Sequence, residues 1–104
     1  MAAKTNLPPV AAEKQRLDKW LWFARVVKTR RQAVELIEAG YVRADAQRIE
    51  VPAKLVAPGM VLTIALDRRV RILRITGLAP RRGNADLGER LFEDLAVRAA
   101  PAAI

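Results

Sequence analysis

Residues 16–40 constrain the fold most tightly, because they hold two helical stripes of apolar side chains separated by a marked helix start. Leu17, Trp20, Leu21 and Ala24 recur at i, i+3, i+4 and i+7, the period of one buried helix face. They predict a first helix from Arg16 to about Val27. Ala33, Leu36, Ile37 and Gly40 repeat that spacing and predict a second helix over 30–39. Thr29 followed three residues later by Gln32 fits a capping box, in which hydroxyl and carboxamide satisfy the first free N–H groups. Gly40 supplies the left-handed exit that ends many helices. The chain therefore begins its fold with two short helices joined by a tight turn.

After Tyr41 the period changes from helical to alternating. β-branched residues predict strands at about 41–44, 47–51, 61–66 and 70–76, with turns at Asp45-Ala46, Pro58-Gly59 and Asp67-Arg68. Such short connections favour antiparallel pairing. From Ala85 to Val97, Leu87, Leu91 and Leu95 fall four apart among Asp86, Glu89, Glu93 and Asp94, which predicts a third, acidic helix; Gly88 weakens its first turn. Residues 1–13, with a Pro-Pro pair and no period, read as a flexible leader. The sequence reading thus divides the chain into a leader (1–13), a helix-and-sheet domain (14–78) and a C-terminal helix with a short tail (79–104).

Charge narrows the function. The 104-residue chain carries 19 Lys plus Arg against 11 Asp plus Glu, a formal net charge of +8. That excess costs stability through self-repulsion and attracts polyanions. Fourteen of the positive residues are Arg, whose planar fork suits phosphate better than a lysine does. Cys and His are both absent. Disulfides, thiolate nucleophiles, the usual zinc sites and histidine acid-base chemistry are thereby excluded. The N-terminal residues contain no apolar stretch of signal-peptide length, so a cytoplasmic protein with no membrane partner is expected.

The positive charge is concentrated in RLDKWLWFARVVKTRRQ, residues 16–32, where Asp18 is the one acid among Arg16, Lys19, Arg25, Lys28, Arg30 and Arg31. Arg30 and Arg31 at a helix start, with Glu35 and Glu38 toward its end, oppose the helix dipole at both ends. The arrangement makes sense once an anion arrives, because a phosphate there meets free backbone N–H groups, the Thr29 hydroxyl and guanidinium groups together. Arg43, Arg48 and Lys54 add positive charge just downstream. The plain alternative, a solvated basic face that only maintains solubility, fits an isolated Arg pair better than a cluster of this size. Trp20, Trp22 and Phe23 read as core in preference to stacking platforms, while Tyr41, beside Arg43, fits either role.

The acidic pairs Asp45 with Glu50 and Glu93 with Asp94 show neither a metal-ligand pattern nor a nucleophile to serve. The five glycines form no phosphate-cradling loop. No cofactor, metal or small-molecule substrate is expected.

The run RLDKWLW, then KTRRQA, then EAGYVR, QR and PGMVLTI resembles the RNA-binding domain named after ribosomal small-subunit protein four. Within that superfamily the RLDKWLWFARVVKTR opening is similar to the small ribosome-associated heat-shock protein 15 family. The resemblance spans about Arg16 to Leu95. It implies an α+β fold with two helices packed on a small, mostly antiparallel sheet (the alpha-L motif), followed here by a C-terminal helix. It also implies RNA binding through Arg16 and Lys19, through Thr29, Arg30 and Arg31, and through Arg43 and Arg48. The partners it implies are ribosomal RNA, the large ribosomal subunit and the tRNA of a stalled nascent chain, in a rescue role under stress. A monomer is expected.

Two departures from the family stand out. Asp45-Ala46 replaces the Asn-Gly that suits a tight primed turn, and the C-terminal residues are Ala-rich where longer members carry a basic extension.

Two other readings stay open from sequence alone. Similar domains are fused to RNA-modifying enzymes, although fewer than thirty residues follow Ile75, too few for a catalytic domain. An adaptor working through the acidic C-terminal segment is the other.

Overall fold

The computed structural model describes residues 14–67 and 69–95. The leader expected at 1–13, Arg68 of the expected turn and the far end of the expected third helix lie outside that range. Chain order within it is β1 (Gln15–Arg16), α1 (Leu17–Phe23), α2 (Arg30–Glu38), β2 (Val42–Ala44), β3 (Gln47–Ile49), β4 (Leu55–Val56), β5 (Val61–Leu66), β6 (Arg69–Ile75), α3 (Ala85–Glu89) and β7 (Phe92–Asp94).

Both leading helices stop by the same device. In α1, Ala24 is the C-cap, Arg25 N–H donates to Trp22 O, and Val26 N–H reaches back to Leu21 O. In α2, Ala39 is the C-cap, Gly40 N–H donates to Ile37 O, and Tyr41 N–H to Leu36 O. Each is the paired arrangement in which a left-handed residue folds the chain back over the last carbonyls. Gly40 takes that conformation freely at φ 85°, whereas Arg25 takes it at φ 63° against its own Cβ. This corrects the first helix, which ends at Phe23 and not near Val27: no glycine announces the stop.

Five strands form an antiparallel sheet in the order β3-β2-β5-β6-β7, and β1 pairs with β4 in a separate two-stranded ribbon. The alternating pattern beyond Tyr41 places β2, β3, β5 and β6 to within a residue or two. The ribbon is not apparent in the sequence because two-residue strands have no period to detect. Asp45 and Ala46 form the turn between β2 and β3 with φ of 49° and 72°, the signs a two-residue primed turn requires. The cost to non-glycine residues is offset locally: Asp45 N–H donates to Val61 O at 2.8 Å, and Asp45 Oδ1 accepts from Val61 N–H at 3.0 Å. The departure from Asn-Gly therefore leaves the hairpin geometry in place.

The C-terminal segment differs most from expectation. Asn84 caps α3 through Leu87 N–H at 2.9 Å, but the helix stops at Glu89 and Phe92–Asp94 become the edge strand β7. Leucines four apart fit a helix, yet the open edge of β6 offers ladder partners that a lengthened helix would leave unpaired. β7 takes them in the register Ile75↔Phe92 and Leu73↔Asp94, and Leu95 N–H donates to Ile72 O at 2.7 Å.

Leu17, Trp20 and Leu21 of α1 and Ala33 and Ile37 of α2 pack on the sheet face made by Val42, Leu62, Ile64, Leu73 and Ile75. All ten are essentially inaccessible to solvent. Trp20 spans this core: its Nε1 donates to Gly77 O at 3.0 Å and its ring meets Phe92 edge-on at 6.3 Å. The opposite sheet face faces water.

Candidate nucleic-acid interface

The two helix starts lie together. At the start of α1, Leu17 N–H donates to Lys54 O at 2.8 Å and Asp18 N–H to Pro52 O at 3.2 Å, so a neighbouring loop satisfies donors that would otherwise be free. Lys19 N–H is taken by Asp18 Oδ1 at 2.8 Å. At the start of α2 the predicted capping box is present: Gln32 N–H donates to Thr29 Oγ1 at 3.1 Å, and Gln32 Oε1 accepts from Thr29 N–H at 3.3 Å and Lys28 N–H at 2.9 Å. No helix bond is available to the Arg30 and Arg31 N–H groups, since the first turn has no preceding carbonyls.

Asp18 joins the two starts. Its side chain is fully buried, a placement tolerable for a carboxylate only with charged donors around it. Arg16 binds it through Nε at 3.1 Å and Nη2 at 2.9 Å, and Arg30 through Nε at 3.4 Å. The two arginine side chains keep 42% and 39% exposure, respectively. Lys54 belongs to the same corner, since Arg16 pairs with Leu55 in the ribbon. Arg31 stands outward at 87% exposure beside Glu35, 3.3 Å away. Lys19, Lys28 and Lys54 have no ion-pair partner among the described residues. The corner can thus offer several exposed cationic groups and two backbone donors to a chain of phosphates.

Beside it runs an open groove of about 580 Å³ between the α1–α2 turn, α2 and the sheet, lined by Val26, Val27, Leu36, Ala39, Tyr41 and Leu66, with Lys28, Gln32 and Glu35 at its edge. Tyr41 is 54% exposed there. An apolar slot with an aromatic wall next to cations has the chemistry to receive an unstacked base.

Other candidates lie elsewhere. Arg25 turns toward the C-terminal segment and donates through Nη1 to Gly83 O at 2.6 Å. Arg43 sits between buried Val42 and Ala44, so it projects from the solvent face of the sheet, directly opposite Arg48 in the ladder. Arg48 lies 3.7 Å from Glu50. The structure therefore gathers Arg16, Lys19, Lys28, Thr29, Arg30, Arg31 and Lys54 about the helix starts, puts Tyr41 in the adjoining groove, and sets Arg25, Arg43 and Arg48 apart.

Sequence reasoning passes over Arg82, which donates to Trp22 O at 3.2 Å and lies over the Trp22 ring at 5.8 Å. The Arg81-Arg82 pair in a Pro- and Gly-flanked loop is the available signal. Phe23 is core, and Trp22 is half-buried against it.

Among the described residues no group of acidic or sulfur ligands could hold a metal, and no helix is long and apolar enough to cross a membrane.

Comparison with known proteins fits this architecture. Residues 15–62 match the S4 domain. Heat shock protein 15 homolog from Aeromonas salmonicida is 36% identical over 87 residues, covering 84% of this chain and 65% of that protein. Heat shock protein 15 of Escherichia coli K12 is 38% identical over 81 residues, 78% of this chain and 60% of the relative. The chain thus spans somewhat less than two thirds of the length of these relatives. A solved trimeric structure of Vibrio cholerae Heat Shock Protein 15 superposes with a TM-score of 0.77 at 32% identity, covering 86% of this chain and 89% of that one. With that fold, that coverage and the S4 match at the two helix starts, this chain belongs to the heat shock protein 15 family of S4-domain proteins.

Proposed function

We propose that the chain is a non-catalytic RNA-binding protein that docks on ribosomal RNA of the large subunit, reading phosphate positions and shape more than base sequence. The observation that carries this reading is the convergence of Arg16, Arg30, Arg31, Thr29 and Lys54 at two adjacent helix starts beside an aromatic groove. Phosphates supply the negative charge that this corner lacks. Likeness to the family supports a finer role within this proposal: recognition of free large subunits that still hold a nascent chain on tRNA, in ribosome rescue under stress. The RNA-contacting residues are Arg16, Lys19, Lys28, Thr29, Arg30, Arg31, Tyr41 and Lys54. Arg25, Arg43 and Arg48 contribute at the margin. A monomer is the expected active form, and the trimeric Vibrio cholerae relative makes a trimer the alternative that equilibrium sedimentation decides.

Sucrose-gradient sedimentation of the purified chain with free large subunits, free small subunits and intact ribosomes tests the reading. Co-migration with free large subunits is expected, with binding that weakens steeply in salt. If about five phosphates are engaged, the log–log slope is on the order of −4. Even spread over all fractions would overturn the large-subunit assignment, and modification of RNA by the chain alone would overturn the non-catalytic one.

A further inference from the structure

We infer that Asp18 is a positioning residue for RNA binding, a buried carboxylate that holds Arg16 and Arg30 as a preset pair before any phosphate arrives. The inference rests on the RNA-binding reading above and extends it to a residue of the wrong charge for that role.

Three features separate Asp18 from an ordinary first-turn acid. It is fully buried, where a stabilising interaction with the helix dipole would need no burial. Of its four donors, three are guanidinium N–H groups from side chains two and twelve residues away along the chain, arriving from both helix starts. Finally, the bonds are made from one side of each guanidinium. Arg30 spends only Nε and Arg16 spends Nε and Nη2, so Nη nitrogens remain on both for an anion outside.

Two flexible arginines would otherwise lose rotamer freedom at the moment of binding; here that ordering belongs to folding. The same carboxylate offsets the repulsion between two guanidinium groups gathered at one oxygen, Oδ2, at 2.9 Å and 3.4 Å. A partly exposed arginine pair held at fixed spacing is a better seat for successive backbone phosphates than two freely moving cations.

The test turns on sign. Asp18→Asn makes the chain more positive, so charge alone predicts tighter binding to an RNA polyanion. Positioning predicts the reverse, a drop in affinity on the order of tenfold with a salt slope shallower by about 0.7 to 0.9 for each phosphate no longer engaged. A purely structural defect lowers the active fraction and leaves the slope of the folded protein unchanged. Binding to free large subunits is therefore titrated against salt for wild type, Asp18→Asn, Arg30→Ala and the double variant. Weaker binding, a shallower slope and a smaller effect in the Arg30→Ala background, where only Arg16 is left to position, are expected.

Equal or tighter binding by Asp18→Asn, or a drop of the same size in both backgrounds, would overturn the inference. If Asp18→Asn does not fold, Arg30→Lys carries the test, since it keeps the charge at a half-exposed position and removes the Nε clamp. Weakening that matches Arg30→Ala supports the clamp, and wild-type affinity refutes it. Wild-type protein that prefers no ribosomal particle would instead remove the functional reading and the positioning role together. Wild-type binding with an indifferent Asp18→Asn removes the positioning role alone.

Discussion

The starts of α1 and α2 lie side by side and are completed in opposite ways. The first is closed by the protein itself, with carbonyls from Pro52 and Lys54 on its N–H groups and a carboxylate folded under its first turn. The second has its backbone capped by its own Thr29 and Gln32; it turns Arg31 outward, and Arg30 meets Asp18 through Nε alone, leaving its Nη groups at the half-exposed surface. One start is committed to the fold, and the other keeps unmet charge at the surface. The contrast shows how a small domain can carry a strong positive field: stability is concentrated at one terminus so that the adjacent one can remain unsatisfied.

Substitutions can break this contrast from either side. The largest effect is expected at the closed start. Leu17→Ala removes a fully buried side chain and should cost about 2 to 5 kcal/mol in urea unfolding, while the folded fraction binds RNA with unchanged affinity. At the open start, reversing Arg30 and Arg31 to Glu should weaken binding to free large subunits by on the order of 100-fold or more, since phosphate contacts become repulsions. Two bonds from Arg16 still hold Asp18 in this variant, so the circular dichroism spectrum should be retained at somewhat lower stability; unchanged affinity with a retained spectrum would remove the open start from the interface.

A smaller effect tests the cap itself. Thr29→Ala should lower stability by about 1 kcal/mol by removing the bond to Gln32 N–H, with an additional modest drop in RNA affinity if the hydroxyl also meets phosphate. Smallest of all, Tyr41→Ala in the half-open groove should leave the melting temperature within a few degrees and weaken RNA binding by roughly five- to tenfold, the low end of the range for one stacked base.

How far these regions are legible in the sequence follows the same division. The open start is plain, because its chemistry is local: Thr29, Gln32 and Gly40 announce a helix whose cap and exit lie within a dozen residues. Arginines at its first turn stand out against the dipole. The closed start is opaque. Nothing between Arg16 and Lys19 indicates that a loop near residue 53 will supply its acceptors, or that Arg30 will reach Asp18, because those partners meet only in the folded chain.

The same reason hides the stop at Arg25, which adopts a left-handed turn without a glycine and donates to Gly83 O. It also hides β7, where Leu91 and Leu95 fit a helical period until the free edge of β6 is taken into account. Arg43 and Arg48 are exposed cations, as their sequence context implies, but strand alternation carries them to the face away from the helix starts.

Trp20 links the two regions through time as well as space. Its indole nitrogen and its ring depend on Gly77 and Phe92, more than fifty positions later in the chain. During synthesis the basic helices emerge well before the residues that complete their support, and contacts so distant in sequence close late. A nascent copy exposed only through α2 would carry the charge of the binding corner without the packing that fixes its geometry. On the proposed RNA-binding reading, tight recognition belongs to chains whose β7 has already joined the sheet, and a copy exposed only through α2 should bind RNA more weakly than one exposed through β7.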